Sequence, residues 1–439
     1  MPNPLATAPI AFQTVEFQTV QFQTIEQDTL ESQLSLDQIL RRRWGEPWLL
    51  GPEPWPLWSM MAEISPPLSR LHSGQRHVPV RAILVAEADA VRCLAAVLAG
   101  LRTGLTVALA NPQWGQQEWQ QGEDLLRLDR SQPLIPGWAL YAADLPPTEP
   151  PELLITTGGT GGRIKFARHT WETLIASVQG FQAHFQVATV NAYCVLPLYH
   201  VSGLMQALRT LVTQGQMILQ PYADLKRGQP LPFPAEPPGF LSLVPTQLKE
   251  LLHQGDTYLP WLRQFQAILL GGAPPWPALL AQARTLALPL APTYGMTETA
   301  SQVTTLLPRE FLAGQTGSGR PLPHATLHIF NDQGQPQPPN QPGRIAITTP
   351  SQFKGYLSSD SPTPDSPLPT PHSPLPTPDS RLPTPHSPNP PPHPPPPPPP
   401  PPTPPPTPPP PLPTPHPPRP PPHSPLPTPH PQNPDPHRF

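Results

Sequence analysis

The chain has little cysteine, no long apolar run and no large excess of charge of either sign, and each shortage closes off a class of function. Its two cysteines, Cys93 and Cys194, stand in apolar stretches without metal-ligand spacing around them. A disulfide framework and a cysteine-built metal site are therefore not expected, and both residues read as buried free thiols of a reducing compartment. No run of ~18 apolar residues occurs, so no helix is expected to span a bilayer. The N-terminus lacks the basic segment followed by an apolar one that marks a secretory signal, and the expected compartment is the cytoplasm. A formal net charge of −3 gives no electrostatic reason to bind nucleic acid or an anionic membrane.

Proline is what the chain has in excess. There are 82 in 439 residues, and 43 of them fall at or after position 361. Ser366-Pro-Leu-Pro-Thr-Pro-His372 and its near-copies surround a polyproline run, and polyproline forms an extended, solvated helix without internal hydrogen bonds. Residues 12–26 repeat with a period of five, beginning Phe12-Gln-Thr-Val-Glu16, which is low complexity rather than core. The expected organisation is a low-complexity segment 1–33, one large domain 34–357 and a disordered proline-rich tail 358–439. Roughly 330 residues are ample for a large α/β domain with subdomains.

Within that domain, apolar runs alternate with stretches of helical spacing. Ala82–Ala86 and Thr106–Leu109 suit buried strands, with a crossover helix over Asp89–Leu101 ended by Gly104. Further strands are predicted at Leu153–Thr156, Asn191–Leu196, Gln216–Leu219, Phe240–Val244, Ala267–Leu270 and Leu290–Thr293. Helices are predicted at Trp171–Phe185, Leu204–Thr213, Pro245–His253 and Trp276–Leu286. This alternation predicts mostly parallel sheets covered by helices. Short strands at Thr326–Phe330 and Gly343–Thr348, around the turn Asn331-Asp332-Gln333-Gly334, predict a small β subdomain.

The run Thr157-Gly158-Gly159-Thr160-Gly161-Gly162-Arg163-Ile164-Lys165 follows the Leu153 strand. Glycines let successive backbone N–H groups converge on an anion, threonine hydroxyls add donors, and Lys165 or Arg163 adds charge. A nucleotide polyphosphate needs that chemistry, although the spacing is not that of a Walker A loop.

Six further segments follow in order: Leu196-Pro197-Leu198-Tyr199-His200-Val201-Ser202-Gly203-Leu204, Gly271-Gly272-Ala273-Pro274, Thr293-Tyr294-Gly295-Met296-Thr297-Glu298-Thr299, Gly317 to Leu322, Gly343 to Ile345, and Lys354-Gly355-Tyr356. With the loop, they resemble the adenylate-forming superfamily of acyl-CoA synthetases, luciferases and nonribosomal adenylation domains. Thr160 to Glu172, Pro197 to Gln206 and Thr297 to Gln302 are most similar to its o-succinylbenzoate–CoA ligase branch in the cyanobacterial form, which serves phylloquinone or menaquinone synthesis.

The resemblance implies roles residue by residue. Thr157, Gly158, Gly159, Thr160 and Gly161 would cradle the β- and γ-phosphates of ATP, with Lys165 nearby. Gly271, Gly272 and Ala273 would line the adenine pocket, and Tyr294, followed by Gly295 and Met296, would stack on the purine. Thr297 would donate to the α-phosphate, Glu298 would hold Mg²⁺, and His200 would orient the acyl carboxylate. Ser301, Gln302 and Arg320 are weaker candidates for substrate contact. ATP, Mg²⁺ and coenzyme A as co-substrate are implied, with an aromatic carboxylic acid as substrate and a homodimer as an assembly the family allows.

Two departures stand out. The loop lacks the family's proline before its lysine, and by simple counting Lys165 lies one position late. The family pattern continues with Thr-Gly-Asp, a hinge and a small lysine-bearing domain, whereas no Thr-Gly-Asp follows Tyr356 and residues 358–439 contain no lysine. The expectation is a large lobe truncated before its small domain and impaired as a ligase. Another aryl- or acyl-CoA synthetase, or an ATP-binding remnant without activity, are the alternatives.

Overall fold

The alternation of apolar runs and helical stretches becomes two sheets in the computed structural model, which describes residues 35–50, 57–73, 80–128, 130–158, 163–233, 239–331, 333–338 and 341–357. All of these fall in the unit Met1–Thr370. The expected low-complexity segment 1–33, the proline-rich tail 358–439 and the loop residues Gly159, Thr160 and Gly161 lie outside the described residues.

In chain order the elements begin with α1 (Leu36–Arg42), β1 (Leu49–Leu50), α2 (Leu57–His72), β2 (Ala82–Val85), α3 (Ala90–Arg102), β3 (Thr106–Leu109), α4 (Gln116–Leu126) and β4 (Leu140–Ala143). Next come β5 (Leu153–Gly158), β6 (Ile164–His169), α5 (Trp171–Phe185), β7 (Ala192–Cys194), α6 (Val201–Val212), β8 (Met217–Leu219), α7 (Tyr222–Arg227) and β9 (Phe240–Leu243). They are followed by α8 (Pro245–His253), α9 (Gly255–Leu262), β10 (Ala267–Leu270), α10 (Pro277–Thr285), β11 (Leu290–Met296), a 3-10 turn Thr297–Thr299, β12 (Ser301–Thr305) and α11 (Pro308–Leu312). The short strands β13 (Arg320–Pro321), β14 (Thr326–Phe330), β15 (Arg344–Thr348) and β16 (Tyr356–Leu357) complete the series.

One sheet has the order β1-β8-β7-β9-β10-β11-β12-β13 and the other β16-β6-β5-β3-β2-β4. Their centres are parallel, as predicted: β2 pairs with β3, β3 with β5, and β9 with β10 and β10 with β11. Three of their four edges are antiparallel, which agrees with mostly parallel sheets, while β1 extends the larger sheet parallel to β8. β6 returns along β5 after a short connection, which only an antiparallel hairpin can span. β4 and β16 close the two edges of that sheet antiparallel, and β12 and β13 close the other sheet in the same way. β14 and β15 form the expected separate two-stranded hairpin.

Side-chain alternation along the strands explains how the layers meet. Ile83 and Val85 point into the large core shared with α3, α6 and the other sheet, while Ala82 and Leu84 join a second cluster with Phe166. α3 is buried over nearly its whole length, and Asp89 caps it by accepting the Arg92 N–H at 2.8 Å. α6 starts at Val201 rather than Leu204, because the His200 carbonyl already accepts the N–H groups of Gly203 and Leu204.

Candidate active site

The β5–β6 hairpin sets Thr157 opposite Lys165 and Gly158 opposite Ile164. Thr157 and Gly158 are therefore ladder residues at the end of a strand rather than free loop residues. Side chains opposite one another in a ladder share a face, so Thr157 and Lys165 present their donors together.

β10 and β11 are neighbouring parallel strands, with Leu270 beside Pro292. Gly271, Gly272 and Ala273 leave the end of β10 beside Thr293 and Tyr294 of β11, at the strand ends where open α/β sheets bind ligands. Gly272 has φ +79°, a conformation that favours glycine. At Gly295 a Cβ would stand 2.1 Å from the carbonyl oxygen of Ser301. Only glycine lets β12 approach that closely, at the irregular register between Tyr294 and Gly295. Gly295 is followed by Met296 and the turn bearing Thr297 and Glu298.

That turn is pinned from several sides. The Ser177 hydroxyl donates to the Ala300 carbonyl at 2.7 Å, and Ser351 donates to the Thr299 carbonyl at 3.0 Å. His169, fully buried on β6, donates from Nε2 to the Thr297 carbonyl at 2.8 Å, while its Nδ1 faces the Thr173 hydroxyl at 3.1 Å. Burial holds His169 below the ordinary histidine pKa, against the opposing pull of the Thr297 hydrogen bond and the Glu298 charge. The Phe353 N–H reaches the Glu298 carbonyl at 2.8 Å, and the Tyr356 hydroxyl donates to the Glu298 carboxylate. Lys165 lies over the Tyr356 ring, 5.0 Å from its centroid. Tyr294 is half-buried, and burial followed by the charge of Glu298 raises its pKa. The hairpin and the turn thus form one connected network, with Glu298 felt by Tyr294, His169 and Tyr356.

His200 stands exposed at the head of α6, its ring tilted against that of Tyr199 with centroids 4.7 Å apart. Loss of solvation against the neighbouring protein lowers its pKa. No hydrogen bond joins His200 to Thr297 or Glu298 among the described residues. Of the weaker candidates, Gln302 is buried and donates to the Thr305 hydroxyl at 2.9 Å, while Arg320 is exposed and 3.9 Å from Glu310.

One residue was not read from the sequence. Arg209 of α6 is 2% exposed, donates from Nη2 to the Ser301 hydroxyl at 3.2 Å, and lies 4.2 Å from the Phe181 ring centroid. Burial pushes its pKa down to about 9, which still leaves it charged at neutral pH. No carboxylate lies within 4 Å of it among the described residues, and its Nε has no partner. Gln206 Oε1, one helical turn earlier, and both ring nitrogens of His324 are likewise buried without partners. A cation removed from water without a counter-charge is costly, so the arrangement suits an incoming anion. The available signal was an arginine inside Leu204-Met-Gln-Ala-Leu-Arg-Thr-Leu211, a stretch buried on every face.

Glu298 is the carboxylate placed to meet a cation here. No group of three or more His, Cys, Asp or Glu side chains able to hold a metal occurs among the described residues. A lone hard oxygen donor fits Mg²⁺, which takes few protein ligands and completes its shell with water and phosphate oxygens.

Residues 76–357 match the family described as AMP-binding enzyme. The chain is 31% identical over 217 residues to the 2-succinylbenzoate–CoA ligase of Enterococcus faecalis, covering 48% of this chain and 43% of that protein. Against the ligase of the same name from Geobacillus kaustophilus it is 32% identical over 202 residues, covering 46% and 40%. The chain spans less than half the length of these curated relatives. Its fold is that of the O-succinylbenzoate coenzyme A synthetase of Bacillus subtilis solved with AMP, with a TM-score of 0.57 at 21% identity over 73% of this chain and 71% of that one.

Proposed function

Since the chain belongs to the AMP-binding enzyme family, we propose that it binds ATP with Mg²⁺ where the β5–β6 hairpin meets the Thr297–Thr299 turn and joins the nucleotide to o-succinylbenzoate. The observation that carries this reading is the fastening of the turn to the hairpin through His169–Thr297 and to its edge strand β16 through Tyr356–Glu298. It brings Thr157, Lys165, Glu298 and the strand end bearing Tyr294 into one place, which supports phosphate and metal binding there. The names of the curated relatives support the acid and coenzyme A as substrates. Arg209 supports an acid with a second carboxylate, because one carboxylate must be left free to react.

In this reading a carboxylate oxygen of the acid attacks the α-phosphorus, the bond to pyrophosphate breaks, and an acyl-adenylate forms. The thiol of coenzyme A then attacks the acyl carbon and AMP leaves. Glu298 would hold Mg²⁺, which would supply neutralisation of phosphate charge, and the Thr297 hydroxyl donates toward the α-phosphate. Lys165 and the Thr157–Gly161 segment take the charge that grows on pyrophosphate, where fixed donors are most effective. His200 orients the reacting carboxylate at the mouth of α6, and Arg209 holds the other. Tyr294 stacks on the purine beside Gly271, Gly272 and Ala273.

The test is pyrophosphate release by the purified 439-residue chain with ATP, Mg²⁺ and o-succinylbenzoate, benzoate or a fatty acid. Release with the first acid alone supports the reading, and release only with another acid assigns a different acyl-CoA synthetase. Binding of ATP without release would leave a nucleotide-binding protein that lacks turnover on its own, and absence of ATP binding would refute the assignment.

A further inference from the structure

Tyr356 enters the sequence reading only as a landmark at the end of Lys354-Gly355-Tyr356, yet both charged ends of the candidate site meet on its side chain. Its hydroxyl donates to Glu298 Oε1, and its ring carries the Lys165 ammonium at 5.0 Å. We infer that Tyr356 is a positioning residue that keeps the Glu298 carboxylate and the Lys165 ammonium apart before nucleotide binds, each seated on a different part of one phenol. The inference rests on the ATP-binding reading of this site.

Opposite charges on facing elements, partly shielded from water, attract strongly. Left alone, Lys165 and Glu298 would satisfy each other, and each would then have to be pulled free before binding phosphate or metal. No ion pair joins them among the described residues. The phenol gives each a milder partner: a neutral donor orients the carboxylate without cancelling its charge, and the ring face holds the ammonium by a cation–π contact. Hydrogen bonding through Oε1 leaves the second carboxylate oxygen available to a cation.

The backbone holds the phenol in that place. Tyr356 pairs with Ala167 at the sheet edge, the Arg168 N–H donates to Gly355 O at 3.0 Å, and the Lys354 N–H donates to Arg168 O at 2.7 Å. Gly355 has φ +122°, which a side chain would strain. Phe353 packs edge-on against the ring at 4.7 Å. The segment touches both the hairpin and the turn, which fixes the Tyr356 backbone beside both.

Calorimetric titration of the full chain with ATP, once with Mg²⁺ and once with EDTA, tests this. Tyr356→Phe keeps the ring and removes the hydroxyl. It should weaken Mg²⁺-dependent ATP binding about tenfold, the scale of one lost hydrogen bond to a charged group, while metal-free ATP binding stays at the wild-type level. Tyr356→Leu removes both seats and should also weaken metal-free binding about tenfold, because Lys165 then pairs with Glu298. Adding Glu298→Gln to Tyr356→Leu should restore metal-free binding, a recovery that simple loss of packing would not give. Wild-type Mg²⁺ dependence in Tyr356→Phe overturns the inference, as does a double variant no better than Tyr356→Leu. If Tyr356→Leu loses its cooperative thermal transition, the Tyr356→Phe titration decides alone. If the wild-type chain binds ATP under neither condition, the ATP reading falls and this inference with it.

Discussion

The imidazole of His169 donates to the carbonyl of Thr297 at 2.8 Å, so a hairpin residue sets the backbone of the turn that carries Glu298. His169→Ala removes one of two donors to that carbonyl, which still accepts the Ala300 N–H at 3.1 Å, and should cost about 0.5–1.5 kcal/mol. Urea denaturation should show a loss of that size, and calorimetry should show ATP affinity reduced about tenfold. Unchanged ATP affinity would separate His169 from the site.

Arg209 gives an opposite stability prediction. Replacing a buried, uncompensated cation by an apolar side chain of similar length relieves a desolvation penalty. Without substrate, Arg209→Met should be as stable as the parent or more stable, by up to about 3 kcal/mol. With substrate it should raise KM for o-succinylbenzoate about a hundredfold, the scale of a charge-assisted contact, and leave KM for ATP unchanged. A variant that loses stability and keeps its KM would place Arg209 in packing alone.

Stability should fall with acid in a defined window. Burial, reinforced by the charge of Arg209 and by His184, holds His324 at about 4 against an ordinary 6.5. Between those values the unfolded chain takes up a proton that the folded chain refuses, so stability present above pH 6.5 is lost as pH falls toward 4. The loss from His324 is about 3 kcal/mol over the window. His169 and His184, also lowered by burial, act in the same direction. Urea titrations at pH 7 and pH 5 should show the drop, and His324→Gln should show a shallower one.

Gly295→Ala should abolish nucleotide binding before it unfolds the chain. A methyl group 2.1 Å from the Ser301 carbonyl oxygen pushes β12 away from β11, and the contact is with backbone that cannot rotate aside. Loss of ATP binding with circular dichroism near that of the parent is the expected result, and normal binding would show that β12 can shift without cost.

Both thiols should be inert in the folded chain. Cys93 and Cys194 are fully buried, and burial pushes each thiol up to about 12, where little thiolate exists to react. Iodoacetamide at pH 8 should label neither until urea unfolds the chain, and labelling of the native chain would contradict the burial.

The sequence conveys those parts of the fold whose residues carry their own signal. β2 and β10 are continuous apolar runs buried on both faces, β3 is such a run after Thr106, and α5 occupies the predicted Trp171–Phe185. β6 is harder to see, because Lys165, Arg168 and His169 interrupt its apolar character and its order comes from pairing with β5 and β16. α2 spaces Leu57, Met61, Ile64, Leu68 and Leu71 for one helical face, but Pro66 and Pro67 read as breakers.

The same division runs through the site. Glycines, the Thr297-Glu298 pair and Lys165 stand in a legible order because each belongs to a local motif. Contacts between distant segments have no local trace: Glu298 meets Tyr356, and Arg209 meets Ser301, across 58 and 92 positions. The missing counter-ion of Arg209 becomes visible only once its surroundings are packed.

The edge strand β16 finally bears on how the protein is made. It pairs Tyr356 with Ala167, so the hairpin emerges from the ribosome roughly 190 residues before its partner. Contacts of such separation form late, after the loop entropy of the intervening chain has been overcome. Nascent chains that stop short of Leu357 would carry the hairpin with an unpaired sheet edge, the kind of surface that recruits other strands. Production of this protein should therefore depend on how quickly synthesis passes that point, and aggregation should track early arrest more closely than mutation of the site.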